Sequence, residues 1–217
     1  MTWILFDWAG TLAFAVSGAM VGLSRRMDIF GVTVLALLTA VGGGMVRDVL
    51  AGITPPVALR QPTDLLMSVV TAVVVSYGYE VLQLDQRRRR TMTLLYDISD
   101  TIGLASFTVT GALTGLTLGT GHPYVFPIML GVITAVGGGM LRDLMAQRVP
   151  VVLRMDVYAV ASLVGAWFMC WSWPIWGPDV SSWLCFIIVL ILRGCALKFG
   201  WQLYHPRPGG RVFRRKT

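Results

Sequence analysis

The sequence is short of charge. Asp, Glu, Lys and Arg make up 13% of its 217 residues, against about 25% in a soluble domain. Hydrophobic residues make up 55%. A soluble fold cannot hide that much apolar sequence and keep a wettable surface, so a soluble globular class is excluded. Histidine is scarce too, with His122 in a loop and His205 in the tail. No paired carboxylates, nucleophile–base arrangement or phosphate-binding loop accompanies them, which argues against an enzyme. Cys170, Cys185 and Cys195 share no metal-ligand spacing, and three cysteines cannot all pair within one chain. They read as free thiols among helices, and no cofactor or metal centre is expected.

Long hydrophobic runs are what the chain does have. They lie at about 3–23, 29–50, 63–83, 98–119, 124–146, 155–174 and 182–200. Each is long enough to cross a hydrocarbon layer of about 30 Å as a helix. The first carries Asp7, follows no basic stretch and has no clear cleavage site, so it reads as a retained span and not a signal peptide. The expected fold is therefore an all-α membrane protein with seven transmembrane helices.

The net charge of +7 does not point to a nucleic-acid partner. Its arginines and lysines cluster at Arg25–Arg26, Arg87–Arg90 and Arg207–Lys216, between or after the apolar runs, as in the loops of a membrane protein. With Arg87–Arg90 in the cytoplasm, Arg25, Arg26, Arg148, Arg154 and the basic tail fall on the same side. This bias predicts the N-terminus outside and the C-terminus in the cytoplasm. Arg193 and Lys198, near the cytoplasmic end of the last span, are expected to snorkel.

A decapeptide recurs. Thr39-Ala-Val-Gly-Gly-Gly-Met-Val-Arg-Asp48 returns as Thr134-Ala-Val-Gly-Gly-Gly-Met-Leu-Arg-Asp143, with one difference. The preceding spans match as well: Asp7, Gly10, Phe14, Val16, Gly18 and Ala19 correspond to Asp100, Gly103, Phe107, Val109, Gly111 and Ala112. Beyond the decapeptide, Pro55 and Leu59-Arg60 are matched with Pro150 and Leu153-Arg154. Each copy holds three spans, an odd number, so the second copy must enter the membrane from the opposite face as an inverted repeat. The predicted organisation is a first repeat at 1–86, a basic linker and approach to the fourth span at 87–97, a second repeat at 98–178, a seventh span at 179–202 and a basic tail at 203–217.

Glycine triplets inside apolar helices are costly, at roughly 1 kcal/mol per residue against alanine. Gly42, Gly43, Gly44, Gly137, Gly138 and Gly139 are expected to kink spans 2 and 5 and to offer backbone carbonyls to a passing ion or polar solute. Close helix packing is the plainer reading of the same residues. Thr39 and Thr134 would add hydroxyls, or bond their own helix backbone. Arg47, Asp48, Arg142 and Asp143 carry charge within apolar runs, which favours a polar mouth or gate at each end over simple snorkelling and capping. Asp7 and Asp100 open spans 1 and 4, either as helix-terminal carboxylates or as partners of a neighbouring arginine. The Gly10-Phe14-Gly18-Gly22 stripe and its copy Gly103-Phe107-Gly111-Gly115 read as tight packing faces.

With Gly-Gly-Gly-Met-Val-Arg-Asp at 42–48 and Gly-Gly-Gly-Met-Leu-Arg-Asp at 137–143, the chain resembles the prokaryotic branch of the trimeric intracellular cation (TRIC) channel family. The likeness extends over essentially the whole chain, including Asp-x-x-Gly-x-x-x-Phe-x-x-x-Gly from Asp7 and from Asp100. The resemblance implies a homotrimer in the inner membrane, in contact with lipid and with no known protein partner. It implies one pore per subunit for potassium, and for sodium as a second permeant ion, lined by spans 2 and 5. Animal members carry Lys-Glu-Val where this chain has Met45-Val46-Arg47-Asp48, so their lipid binding and voltage regulation are not carried over. Bacterial members are also described as glycine-transporter-like. A small-amino-acid transporter rocking about the same inverted-repeat site is thus the alternative to a channel, and a structural membrane protein a third class.

Overall fold

In the computed structural model, which describes residues 2–81, 89–154 and 157–201, the described residues form α1 (Thr2–Ser24), α2 (Ile29–Leu50), a short α3 (Val57–Arg60), α4 (Thr63–Val81), α5 (Arg89–Leu118), α6 (Val125–Met145), a 3-10 turn (Val151–Leu153) and α7 (Val157–Phe199). Six of these helices are long and apolar enough to cross a membrane. The chain is a multi-pass, all-α membrane protein.

α7 makes two crossings. Its one non-helical residue is Gly177, at φ 74° and ψ 178°, between Pro174 and Pro178. The Arg193 guanidinium lies 4.8 Å from the centre of the Tyr158 ring, and Gly165 packs on Val189 and Cys185. Those contacts require the chain to double back at Gly177, which gives seven transmembrane segments. Only glycine adopts that backbone conformation readily.

The element limits follow the hydropathy reading closely, with one correction. Span 4 was expected from residue 98 but is helical from Arg89. Hydropathy ends where charged residues begin, whereas helical hydrogen bonding continues past the membrane border. Arg89 and Arg90, assigned to a linker, open this helix; Arg87 and Arg88, like the basic tail from 203, lie outside the described residues. Asp28 caps α2, its carboxylate accepting from the Gly31 N–H at 2.7 Å, an ordinary N-cap.

The core shows the inverted symmetry directly. The Phe14 ring packs on Gly103 and the Phe107 ring on Gly10, each phenylalanine filling the notch left by the other repeat's glycine. Gly18 seats against Thr39 and Ala36 of α2, and Gly111 against Thr134 and Gly131 of α6. At the centre α2 crosses α6. A Cβ at Gly43 would collide with the Thr134 carbonyl oxygen, and one at Gly138 with that of Thr39. The packing-stripe reading of α1 and α5 therefore holds.

Past the decapeptides, α3 and the 3-10 turn occupy equivalent places, capped by Pro56 and Pro150. Pro56, and not Pro55, is thus the structural match of Pro150. The first repeat carries one more residue in the turn before the short helix, which a gapless alignment at the proline misses.

Candidate functional site

α2 and α6 do not break at the glycines. Every residue of both triplets is helical, in helices running without interruption over Ile29–Leu50 and Val125–Met145. The expectation of kinked helices with freed carbonyls is corrected here: glycine is needed for backbone-to-backbone approach, and the helical hydrogen bonds survive. Gly43 and Gly138 form the crossing, and Gly137 lies against the Gly43 Cα. Gly42 faces Leu141. Gly44 and Gly139 instead face the arginine one turn along, with a Cβ at either 3.7 Å from Arg47 Nη2 or 3.5 Å from Arg142 Nη2. Thr39 and Thr134 are fully buried and donate to the carbonyls of Leu35 and Leu130, each at 2.6 Å. Their hydroxyl protons bond their own helices.

The two Arg-Asp pairs lie at opposite ends of this crossing and share one local design. Arg47 Nε donates to Asp48 Oδ1 at 2.9 Å, and Arg142 Nε to Asp143 Oδ1 at 2.9 Å. The second carboxylate oxygen accepts a backbone N–H from the short element that follows, Val57 for Asp48 and Val151 for Asp143, both at 2.8 Å. The aspartates thus orient the arginines and stabilise the N-termini of those elements at once.

Beyond this shared design the ends differ. Arg142 is fully buried and also donates to Asp100 Oδ1 at 2.6 Å, to the Ser17 hydroxyl and to the Tyr96 hydroxyl at 2.9 Å. Arg148 donates to Asp143 Oδ1 and to the same Tyr96 hydroxyl. Both guanidiniums lie over the Tyr96 ring, at 5.0 and 5.3 Å. Two arginines and two aspartates balance formally, and the cluster ties α1, α5 and α6 together. A buried charge is tolerable when compensated in this way. Asp100 is the arginine partner and not a helix-terminal carboxylate, because α5 begins well upstream of it.

At the opposite end Arg47 pairs with Asp48 alone among the described residues. Asp7, the counterpart of Asp100, makes neither an ion pair nor a hydrogen bond with the described residues. A cavity of about 20 Å³, room for a water or two, opens there. Asp7, Asp48, Asp64, Arg47 and Gly44 line it, so three carboxylates face one guanidinium.

Sequence reasoning missed Tyr96, Ser17, Asp64 and Tyr158, and used Arg148 only as a loop charge. The repeat held a signal for some of them. Tyr96 and Trp3 stand at matched positions one turn before Asp100 and Asp7, and Tyr158 and Asp64 one turn past Arg154 and Arg60. At these positions the two copies differ in chemistry, and there the ends diverge. Arg193, expected to snorkel, is buried over Tyr158 instead. Cys170 and Cys185 are buried free thiols, and Cys195 is half-buried.

Comparison with known proteins agrees with this architecture. The profile of a family described as "Glycine transporter" matches residues 4–80 and again 97–174, one match per repeat. A crystal structure of a prokaryotic TRIC channel superposes with a TM-score of 0.85 at 31% identity, covering 94% of this chain and 99% of that one. The chain belongs to the TRIC family. The TRIC trimeric intracellular cation channel orthologue from Rhodobacter sphaeroides gives a TM-score of 0.82 at 35% identity, over 92% of this chain and 99% of that one. Among curated relatives, the UPF0126 membrane protein YvgT of Bacillus subtilis is 34% identical over 94% of this chain and 96% of its own length. The UPF0126 inner membrane protein YadS of Escherichia coli is 33% identical over 92% and 93%. These solved TRIC structures are of channels, and this TRIC protein is not an enzyme.

Proposed function

We propose that this TRIC protein is a monovalent-cation channel, conducting potassium and also sodium through a pathway within each protomer along the α2–α6 crossing. The observation that carries this reading is the pair of charged clusters at the two ends of one small-residue crossing. One end presents three carboxylates and a cavity, a field that draws cations. The other is shut by the Arg142–Asp100–Tyr96 cluster. Arg47, Asp48 and Asp7 shape the acidic mouth, and Arg142, Asp143 and Asp100 form the gate. The glycines and threonines of both decapeptides line or support the pathway between them, with Gly44 and Gly139 nearest the charged ends. Uninterrupted helices make side chains and the helix crossing, not freed carbonyls, the walls of that pathway. No cofactor is required.

The Rhodobacter sphaeroides orthologue is trimeric in name, and a homotrimer with one pathway per subunit, embedded in lipid, is proposed for this chain. The name of YadS supports an inner-membrane location. The arginine bias places the N-terminus outside and the C-terminus in the cytoplasm, which sets the Arg47 end outside. The proposed division is a first repeat at 1–86, a second at 98–178, a seventh span at 179–202 and a basic tail at 203–217, of which 82–88 and 202–217 lie outside the described residues.

Purified protein in a planar bilayer under asymmetric KCl tests the reading. Discrete openings reversing near the potassium equilibrium potential are expected, and Gly44→Leu should lower the unit current. A silent bilayer, with the same protein carrying labelled glycine into liposomes, would favour the transporter that the family description names.

A further inference from the structure

The turn between α1 and α2 carries two arginines that the pathway does not use. Arg25 and Arg26 are both exposed, between Leu23 and Met27. Arg26 follows α1 at a φ of 55°, in the left-handed region where glycine is the usual residue. In the register of Gly22 and Gly115 its match in the second repeat is Gly119, which has that conformation at φ 62°. The fold therefore requires the backbone conformation and not the side chain. Keeping an arginine there costs backbone energy that glycine would spare, which points to a use for the guanidinium outside the fold.

Beside this turn α1, α2 and α4 enclose an open groove of about 540 Å³, the size of a small-ligand site. Leu23, Ile29, Val32 and Val73 give it an apolar floor. Tyr77, Tyr79 and Glu80 line it toward the end of α4. Little protein covers this helix, of which only Ser68 and Ala72 are buried against the described residues. Asp28, the other charge of the turn, is occupied in capping α2. The arginines and the glutamate are peculiar to the first repeat, since Arg25 matches Leu118 and Glu80 matches Pro174. All three stand at span ends, the depth at which lipid headgroups lie.

We infer that the groove binds one phosphatidylethanolamine molecule, with its acyl chains on the apolar floor, its phosphate held by Arg25 and Arg26, and its ammonium donating to Glu80. An anionic headgroup would suit the arginines but set a further negative charge beside Glu80. Phosphatidylcholine carries both charges, yet its trimethylammonium has no N–H to donate. A phosphate joined to a primary ammonium pairs every charge of the rim. The inference is independent of the pathway along the α2–α6 crossing, and its failure leaves the channel reading in place.

Native mass spectrometry of the delipidated protein tests it, by titration with dioleoyl phosphatidylethanolamine, phosphatidylcholine and phosphatidylglycerol in turn. The first should bind about tenfold tighter than either of the others. Glu80→Gln should remove its advantage over phosphatidylcholine, and Ser76→Trp, which fills the groove, should abolish the tight site. Arg26→Gly separates lipid binding from folding: it should weaken phosphatidylethanolamine several-fold while raising Tm, because it relieves the left-handed backbone. Equal affinity for the three lipids, a preference for phosphatidylglycerol, or a preference that survives Glu80→Gln overturns the inference. If Ser76→Trp instead splits the oligomer and leaves the lipid preference untouched, the groove is a contact between copies of this chain, and the inference is again overturned.

Discussion

Phe14 and Phe107 meet edge to face between the two repeats, ring centroids 5.1 Å apart and planes at 76°. Each ring also covers the other repeat's glycine, so this four-residue cluster holds α1 against α5. Gly103→Ala should destabilise the fold by about 1–3 kcal/mol, since a methyl there overlaps the Phe14 ring. Pairing it with Phe14→Ala should cost less than the sum of the two single changes, because the new methyl partly fills the lost ring's space. Thermal unfolding in detergent measures both.

The glycine triplets separate into packing and non-packing members. Gly43→Ala and Gly138→Ala place a methyl on a backbone carbonyl of the facing helix, which cannot rotate away. Both should lower the midpoint of unfolding clearly. Gly44→Ala meets only the Arg47 guanidinium at 3.7 Å and should leave stability unchanged or raise it by up to about 1 kcal/mol through helix propensity. Equal losses at all three positions would contradict this division.

Removing Arg142 leaves Asp100 without an ion-pair partner among the described residues and Asp143 with Arg148 alone. Arg142→Gln should therefore destabilise by about 3–5 kcal/mol. Arg47→Gln removes the one guanidinium facing Asp7, Asp48 and Asp64, but only Asp48 is paired with it, and Asp48 keeps the Val57 N–H, so the loss should be the smaller. Unfolding curves of the two variants in the same detergent decide it.

Tyr96→Phe keeps the ring under both guanidiniums and deletes the hydroxyl that accepts from them. A loss of about 1.5–3 kcal/mol from the closed cluster is expected. In the bilayer the variant should open more often at unchanged unit current. An unchanged open probability would remove Tyr96 from the gate.

Gly177→Ala tests the reversal in α7. The backbone there lies in a region nearly reserved for glycine, and alanine should cost about 1–3 kcal/mol. Limited proteolysis at the turn, compared between wild type and variant, reads the effect independently of Tm.

The seven crossings and the inverted repeat, with its recurring decapeptide, were determined by the sequence alone. Hydropathy and repetition are properties of neighbouring residues, and lipid enforces them span by span. The role of each motif residue was decided only by the tertiary structure. Nothing local distinguishes a glycine that frees a carbonyl from one that admits a facing helix; Gly43 packs because Thr134, far along the chain, lies across from it. Likewise Asp7 and Asp100 occupy the same place in the repeat, and only one of them meets its arginine. Ion pairs depend on which side chains distant segments bring within a few ångströms.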